Sequence, residues 1–550
     1  MGIYKEQEPR KSTLILFITL IFLLAYPLWH IGERELFWNE GKYACIAADS
    51  MEFPPVMMPH GQFDASVYPL YPMLVKAVSQ CSGFSMEFSL RAVSVLSLFL
   101  LTLIVCFACY RAGGVQAGAA GAVAMFTTIL CGEKSIEGYP TMLTALILYG
   151  GWLLWFEFTL SKGNWNYAWL SAGIFGALAY YSAGPTGLFL FFAPLLVQQR
   201  PLNIWTKLRY SGLYAALFII IVTLLLYYAP QWNLQKPAPA VESFSFSGWL
   251  KHLATYPFML IVRFLPWSLL LWAPFCAALI PLGRNPLFEK YNRVLFSVTA
   301  VILWLKPGAS REMLYLLPLI ATMAGIDYWI VVRRYGWKIL KVMRIYGWTL
   351  LVLSAVACGF LFCPESLLLY LQPLFNAVAY REILQPVYLL LGQIVAAAVL
   401  ISIGLYFTRY YIRIWLVTAL FFCGTMLLFW STVYPVRTAS HEKRDFGNQF
   451  RRILENEADF KKLQKKVLYK DSAISGLYGE CYYMSIPVKS VDIKMNFQQN
   501  EEFVYVLSTG VPSSSERGWS RLYDMEYKDK HLYLYKGQLR KDEYDDYGDD

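Results

Sequence analysis

Four short clusters of ionisable residues stand beside long apolar runs. Asn39-Glu40-Gly41-Lys42-Tyr43 follows the first run, and Glu133-Lys134-Ser135-Ile136-Glu137 fills the turn between the third and fourth. Lys306 and Arg311 precede Tyr315-Leu316-Leu317-Pro318, and Arg91 lies at the start of the second run. Charged groups are costly to keep next to hydrocarbon, so those retained there are candidates for a site. Their chemistry is complementary. A carboxylate can take a proton from an attacking group, and cations can neutralise an anionic leaving group such as a lipid-linked phosphate. Each cluster also has a structural reading. Asn39 can cap a helix whose first-turn Glu40 suits the helix dipole, the Glu133 to Glu137 segment can be a solvated turn, and Lys306, Arg311 and Arg91 can snorkel to lipid headgroups.

The elements that must position these residues are set by composition. The chain has 550 residues, 57% hydrophobic and 16% charged, with a mean hydropathy of +0.41, which excludes a soluble globular enzyme, a disordered chain and a fibrous protein. Crossing a bilayer core takes roughly 20 apolar residues in a helix, and about thirteen such runs are present. They lie near 12–31, 92–110, 114–131, 138–156, 210–229, 264–283, 291–305, 313–331, 345–363, 386–408 and 414–434, with two more in 163–199, where Gly184-Pro185 supplies a break. The expected fold class is an all-α polytopic membrane domain over 1–436. The first run resembles a signal peptide without a small-residue cleavage site, so a retained anchor is expected.

With the N-terminus inside, the inner segments collect Arg111, Lys162, Lys207, Arg284, Arg333, Arg334, Arg344 and Arg413, and the outer loops are poorer in basic residues. Two outer segments, 32–87 and 230–256, are long enough to carry function. In the first, a helix from Glu40 to about Met51 would place Tyr43, Ala47 and Met51 on one face, as in a helix lying flat at the membrane interface. In the second, Pro237 and Pro239 suit a segment that orders over a bound lipid.

Residues 437–550 read as a small soluble α/β domain on the outer side. Their 19 Lys/Arg and 20 Asp/Glu nearly cancel, so the net charge of +10 belongs to the membrane loops, and nucleic acid is not an expected partner. Phe446, Phe450, Ile453 and Phe460 share a helical face. Strands are expected at Lys489 to Lys494, Glu502 to Ser508 and in a hairpin around Asp529-Lys530, before an acidic, disordered end from Asp542 to Asp550.

The ten cysteines and five histidines show no metal-ligand spacing. Cys106 and Cys109 have redox-motif spacing inside an apolar run, where small buried hydrophobes are expected. Cys45 and Cys81 share an outer loop, which leaves a disulfide and two thiols as alternatives. No tightly bound cofactor or metal is expected, and at most a weak divalent-cation dependence.

Several segments, in order, resemble the integral-membrane glycosyltransferases of the GT-C group that use polyprenyl-phosphate sugars, of the aminoarabinose (lipid A) transferase and protein O-mannosyltransferase type. Asn39-Glu40-Gly41-Lys42-Tyr43-Ala44 resembles the motif Asp-Glu-x-Arg-Tyr-Ala, and Val67-Tyr68-Pro69-Leu70 a Lys-Pro-Pro-Leu segment. Leu90-Arg91 resembles the Leu-Arg that follows it, and Glu137 falls where a second Asp is usual. Ser182-Ala183-Gly184-Pro185 resembles Thr-Lys-Gly-Pro, Phe264-Leu265-Pro266-Trp267-Ser268 a Phe-Leu-Pro-Trp-Ser motif, and Arg311 to Pro318 a Lys-x-x-x-Tyr-Leu-Leu-Pro segment. The resemblance covers most of 12–436.

It implies transfer, with inversion, of a sugar from an undecaprenyl-phosphate-linked donor to lipid A or another envelope acceptor. The site and C-terminal domain would be periplasmic, on a multi-pass bacterial inner-membrane protein. Glu40 and Glu137 would be catalytic and Arg311, Lys306 and Arg91 would bind the donor phosphate, with Asn39, Lys42, Tyr43, Tyr68, Pro69 and Tyr315 lining the site. Three departures stand out. Asn39 replaces the usual Asp and cannot act as a base, and Val67 and Ala183 replace two lysines. The alternatives are a protein O-mannosyltransferase acting on exported proteins and, from another class, a lipid flippase or transporter.

Overall fold

The computed structural model describes residues 31–32, 34–37, 39–48, 59–61, 64, 66–134, 136–198, 203–229, 245–276, 285–308, 310–362, 387–409, 414–432, 442–463, 466–472, 474, 476–491, 503–512, 517–527 and 530–539. The expected first span, the prolines of the second outer loop, Met51 and the acidic end lie outside them. The described residues form two compact units. One holds the described residues of 31–34, 77–228 and 241–439, and the other those of 35–76 and 440–550 together with Ala229.

The first unit is a bundle of apolar helices. Six described helices are long and apolar enough to cross a membrane: Met86–Gly113, Thr141–Ser161, Trp165–Val197, Glu312–Val332, Arg334–Leu361 and Leu390–Phe407. A seventh is reached if Phe246–Arg263 and Trp267–Phe275, bent by 100°, count as one span. The protein is thus a multi-pass membrane protein, with six or seven such spans among the described residues against thirteen expected over the whole chain. Val115–Phe126, Gly212–Tyr228 and Leu416–Thr432 coincide with expected runs but are short.

Gly184 shows why counting by length fails. It takes φ 64°, ψ −148° inside Trp165–Val197, a conformation glycine adopts without strain, and Pro185 follows with no amide hydrogen to donate. A Cβ on Gly176 would lie 2.7 Å from the Phe192 ring. In a straight helix, 16 residues would separate them by about 24 Å. The segment therefore folds back at Gly184 as two antiparallel helices, as its sequence suggested.

Small residues let other helices meet closely. A Cβ on Gly325 would fall 2.8 Å from Gly121 Cα, and one on Gly121 2.7 Å from Cys109 Sγ. Cys109 is fully buried and its thiol points at the Thr322 carbonyl at 3.6 Å, so it packs as the expected small hydrophobe. Several polar tips inside the bundle are paired: Tyr149 with Thr322 at 2.5 Å, Trp152 with the Phe191 carbonyl at 3.0 Å and Thr144 with Ser182 at 2.6 Å. Hydrocarbon offers them no other partner.

The second unit is α/β. Its strands are β1 (Leu468–Asp471), β2 (Val488–Val491), β3 (Phe503–Ser508), β4 (Arg517–Tyr527) and β5 (Lys530–Leu539), in the order β2-β1-β3-β5-β4. β1 pairs in parallel with β2 and β3, and β5 antiparallel with β3 and β4. Phe446, Phe450 and Phe460 pack on Leu468, Tyr505, Leu507, Leu532 and Leu534, with Ile453 partly buried beside them.

Helix Glu40–Ala48 belongs to this unit. It buries Gly41, Ala44 and Cys45, and a Cβ on Gly41 would lie 2.3 Å from the Gly479 amide nitrogen. The helix packs by its glycine against Tyr478–Tyr483, and of the expected face Tyr43 and Ala47 lie within it while Met51 lies outside the described residues.

Candidate active site

In the bundle, the turn between Ile129–Lys134 and Thr141–Phe156 presents Glu137, which is 6% exposed. Its Oε1 accepts a hydrogen bond from Lys134 Nζ at 2.8 Å. Its Oε2 lies 3.5 Å from Arg311 Nε and accepts no hydrogen bond from the described residues. The Arg311 guanidinium stacks on the Tyr139 ring with 3.9 Å to its centroid. Arg311 itself is placed by a short helix, Glu312–Leu316, where the Leu314 amide bonds the Arg311 carbonyl at 3.0 Å. Arg263, ending Phe246–Arg263, donates to the Ser310 carbonyl at 2.7 Å and ties a third element to this turn.

The structure therefore brings Glu137, Lys134, Arg311 and Tyr139 together at the ends of several helices. Nearby, Lys306 is paired with Glu312 at 2.5 Å, and Tyr315 is buried. Glu312 Oε2, Tyr256 Oη and Ser268 Oγ, like Glu137 Oε2, are buried polar atoms without hydrogen-bond partners among the described residues. Such orphans are rare in protein interiors and mark places where a ligand or water completes the bonding. Sequence reading missed Tyr139, Glu312 and Tyr256. The signal for the first two was their adjacency to Glu137 and Arg311; Tyr256, inside an apolar helix, gave none.

Arg91 belongs to the same unit. It is fully buried, and its Nη1 donates to the carbonyls of Ile31 at 2.5 Å and Arg34 at 2.8 Å. This geometry anchors the backbone ahead of the second span.

The second unit holds the remaining expected residues. Glu40 is fully buried, its Oε2 accepting from the Phe37 amide at 2.9 Å while the Glu40 amide donates to the Phe37 carbonyl at 2.9 Å. This reciprocal cap satisfies helix-end donors. Asn39 is exposed, and its backbone carbonyl receives the Lys42 amide at 3.0 Å. Lys42 pairs with Asp64 and donates to Ser66 Oγ at 3.0 Å. Burial acts to raise the Asp64 carboxyl, but hydrogen bonds from Lys42 and Ser66 outweigh it and hold the group below its ordinary value.

Tyr43 packs edge-on to Tyr71 at 5.4 Å and sits with Ile46 and Val67, so the position resembling a family lysine is here an apolar contact. Pro69 is buried and its carbonyl receives the Met73 amide at 3.1 Å at the start of Leu70–Ser82; Tyr68 beside it is half-buried.

His60 is buried at φ 54°, outside the usual region for a non-glycine residue. Its Nε2 meets Cys45 Sγ at 3.5 Å. Burial, reinforced by the Lys470 charge, lowers its pKa to about 3, which keeps the ring neutral. Cys45 and Cys81 are both thiols, so the bridge between them is not formed. Among the described residues, no three His, Cys, Asp or Glu side chains come together as a metal site.

No protein-family model matches the chain, and no curated protein matches its sequence. Solved structures do. ArnT from Cupriavidus metallidurans superposes with a TM-score of 0.66 bound to undecaprenyl phosphate and 0.68 in the apo state. Both are 15% identical in sequence and cover 96% of this chain and 98% of theirs. An Archaeoglobus fulgidus oligosaccharyltransferase is also found, at 12% identity and a TM-score of 0.44, over 91% of this chain and 70% of that one. Helical bundle and C-terminal sheet together, the chain has the GT-C fold as it occurs in ArnT.

Proposed function

We propose that this protein is a membrane glycosyltransferase that moves a sugar from a polyprenyl-phosphate donor to a lipid acceptor of the lipid A kind at the outer face of the bacterial inner membrane. The observation that carries the reading is Glu137 Oε2. It is a buried carboxylate oxygen without a hydrogen bond from the described residues, 3.5 Å from Arg311 at the ends of membrane helices. The shared fold of ArnT, solved with undecaprenyl phosphate, supports the donor class.

In this mechanism an acceptor oxygen attacks the anomeric carbon as the bond from that carbon to the phosphate oxygen breaks, and the phosphate departs with the electron pair. The centre inverts. Arg311, held by Tyr139 and Glu137, faces the charge growing on the phosphate, and Lys306 adds to it by exchanging Glu312 for the leaving group. Glu137 receives the proton when the acceptor is a hydroxyl. A phosphate acceptor is already ionised, which fits Asn39 in place of an acid. Arg91 and Glu40 serve by holding backbone in place. No tightly bound metal takes part, with at most a weak divalent-cation effect. The site faces the periplasm.

The test is release of free polyprenyl phosphate from a polyprenyl-phosphate sugar by purified protein in lipid nanodiscs. Replacing Arg311 by Ala should lower turnover by about 10²–10³-fold, the size of losing one pre-placed donor. Wild-type turnover in both Arg311→Ala and Glu137→Gln would discard the mechanism. Uptake of the donor without cleavage would indicate a transporter.

A further inference from the structure

A cavity lies at the other end of the same helices. Leu103, Phe107, Leu154 and Phe288 help to line an apolar cavity of about 850 Å³, with Arg111 and Glu157 at its polar edge. Its size is that of a ligand cavity, roughly 300–1,000 Å³. It is not the site around Arg311. Helix Pro286–Leu305 has 20 residues, its first turn at the cavity and its last beside Lys306, and at about 1.5 Å per residue these ends are about 30 Å apart. Helix Thr141–Phe156 likewise has Glu137 before its first turn and Glu157 after its last.

Two features of the cavity select its occupant. Leu103, Phe107 and Leu154 are exposed on the flank of the bundle, so the cavity opens sideways onto the surface that hydrocarbon covers. At the polar edge, Glu157 meets two cations, Arg111 at 3.0 Å and Lys162 at 4.0 Å, and both cations are more than half exposed. Among these three described residues one positive charge is left over. An isoprenoid tail alone would bring it no anion, because the donor phosphate is required at the opposite end.

We propose that the cavity binds an anionic glycerophospholipid. One acyl chain lies against Leu103, Phe107, Leu154 and Phe288, and the phosphate is held by Arg111 and Lys162, sharing them with Glu157. Basic side chains near a lipid surface favour anionic headgroups in this way. Glu137 and Arg311 play no part in the site, so it stands apart from the transfer reaction.

The experiment is native mass spectrometry of the full chain in mild detergent, without sugar donor, after exchange with an equimolar mixture of phosphatidylglycerol and phosphatidylcholine of identical acyl chains. Wild type should retain one phosphatidylglycerol per chain, preferred by about tenfold. Arg111→Gln with Lys162→Gln should abolish the preference, while Arg111→Lys keeps it. Gly150→Leu with Ala108→Phe, which fills the cavity, should reduce retention of both lipids. Thermal unfolding reports whether each variant is folded, and if the filled variant is not, the charge variants decide. Equal retention of the two lipids by wild type, or an unchanged preference in the double charge variant, overturns the proposal. So does one-for-one displacement of the lipid by added undecaprenyl phosphate, which would give the cavity to the donor's tail.

Discussion

In the membrane bundle, Glu137 keeps one carboxylate oxygen without a hydrogen bond from the described residues, beside a stacked arginine. In the second unit, Glu40 is committed to the Phe37 amide and Lys42 to Asp64 and Ser66. The two carboxylates looked equivalent as residue types next to apolar runs. Their surroundings separate them: one has bonding capacity left for a substrate, and the other completes a helix end. A charged residue near a membrane is thus informative about chemistry only once its local bonds are counted.

The comparison can be broken most directly by charge-neutral substitution. With a hydroxyl acceptor, Glu137→Gln should lower transfer by about 10²–10⁴-fold, the usual worth of a positioned base, with a smaller loss for an acceptor already ionised. Glu40→Gln should lower it far less, while destabilising the second unit by about 0.5–2 kcal/mol through the weakened cap. Equal rate losses in the two variants would return Glu40 to the chemistry. Next in size, Gly41→Ala puts a Cβ 2.3 Å from the Gly479 amide. It should cost the second unit about 1–3 kcal/mol by overpacking, measured by limited proteolysis of that unit.

A gentler probe is acidity. His60 has a folded pKa of about 3 against a reference of 6.5. Unfolding therefore takes up a proton at pH values below about 6.5, and the second unit should lose stability progressively from there down to about pH 3. The loss is at most about 1.4 kcal/mol per pH unit. His60→Phe should flatten that slope in urea unfolding followed by circular dichroism, and an unchanged slope would remove His60 as its source. The smallest effect expected is that of chelation. Removing divalent cations should change the transfer rate by less than about twofold if side chains rather than a resident metal carry the charge.

Much of this could be read from the sequence where the cause is local. Hydropathy located the spans, Gly184-Pro185 announced the fold-back, and β-branched and aromatic alternation found β3 and the β4–β5 hairpin. Among the described residues the long apolar helices are fewer than the expected runs, because Val115–Phe126 is short and Trp267–Phe275 turns by 100° from its neighbour, which composition does not register. β1 is only four residues long, and Tyr478–Tyr483 begins after a left-handed Leu477, so neither had a readable period. Within the candidate site, the Glu137–Arg311 pairing joins residues far apart in sequence. Arg91 and Lys42 found partners at Ile31, Arg34 and Asp64 that spacing gives no reason to prefer. Such contacts depend on the fold being in place first.

One such contact has a bearing on biogenesis. The Glu35 carboxylate accepts from the Lys443 amide at 3.0 Å and from the Arg444 amide at 3.4 Å, and the Leu36 amide donates to Tyr483 Oη at 2.8 Å. These partners lie more than 400 residues downstream. During translation the segment from Glu35 must therefore wait, unsheltered, until nearly the whole polypeptide has left the ribosome. A chain cut short after its final span would leave that segment permanently open to proteases.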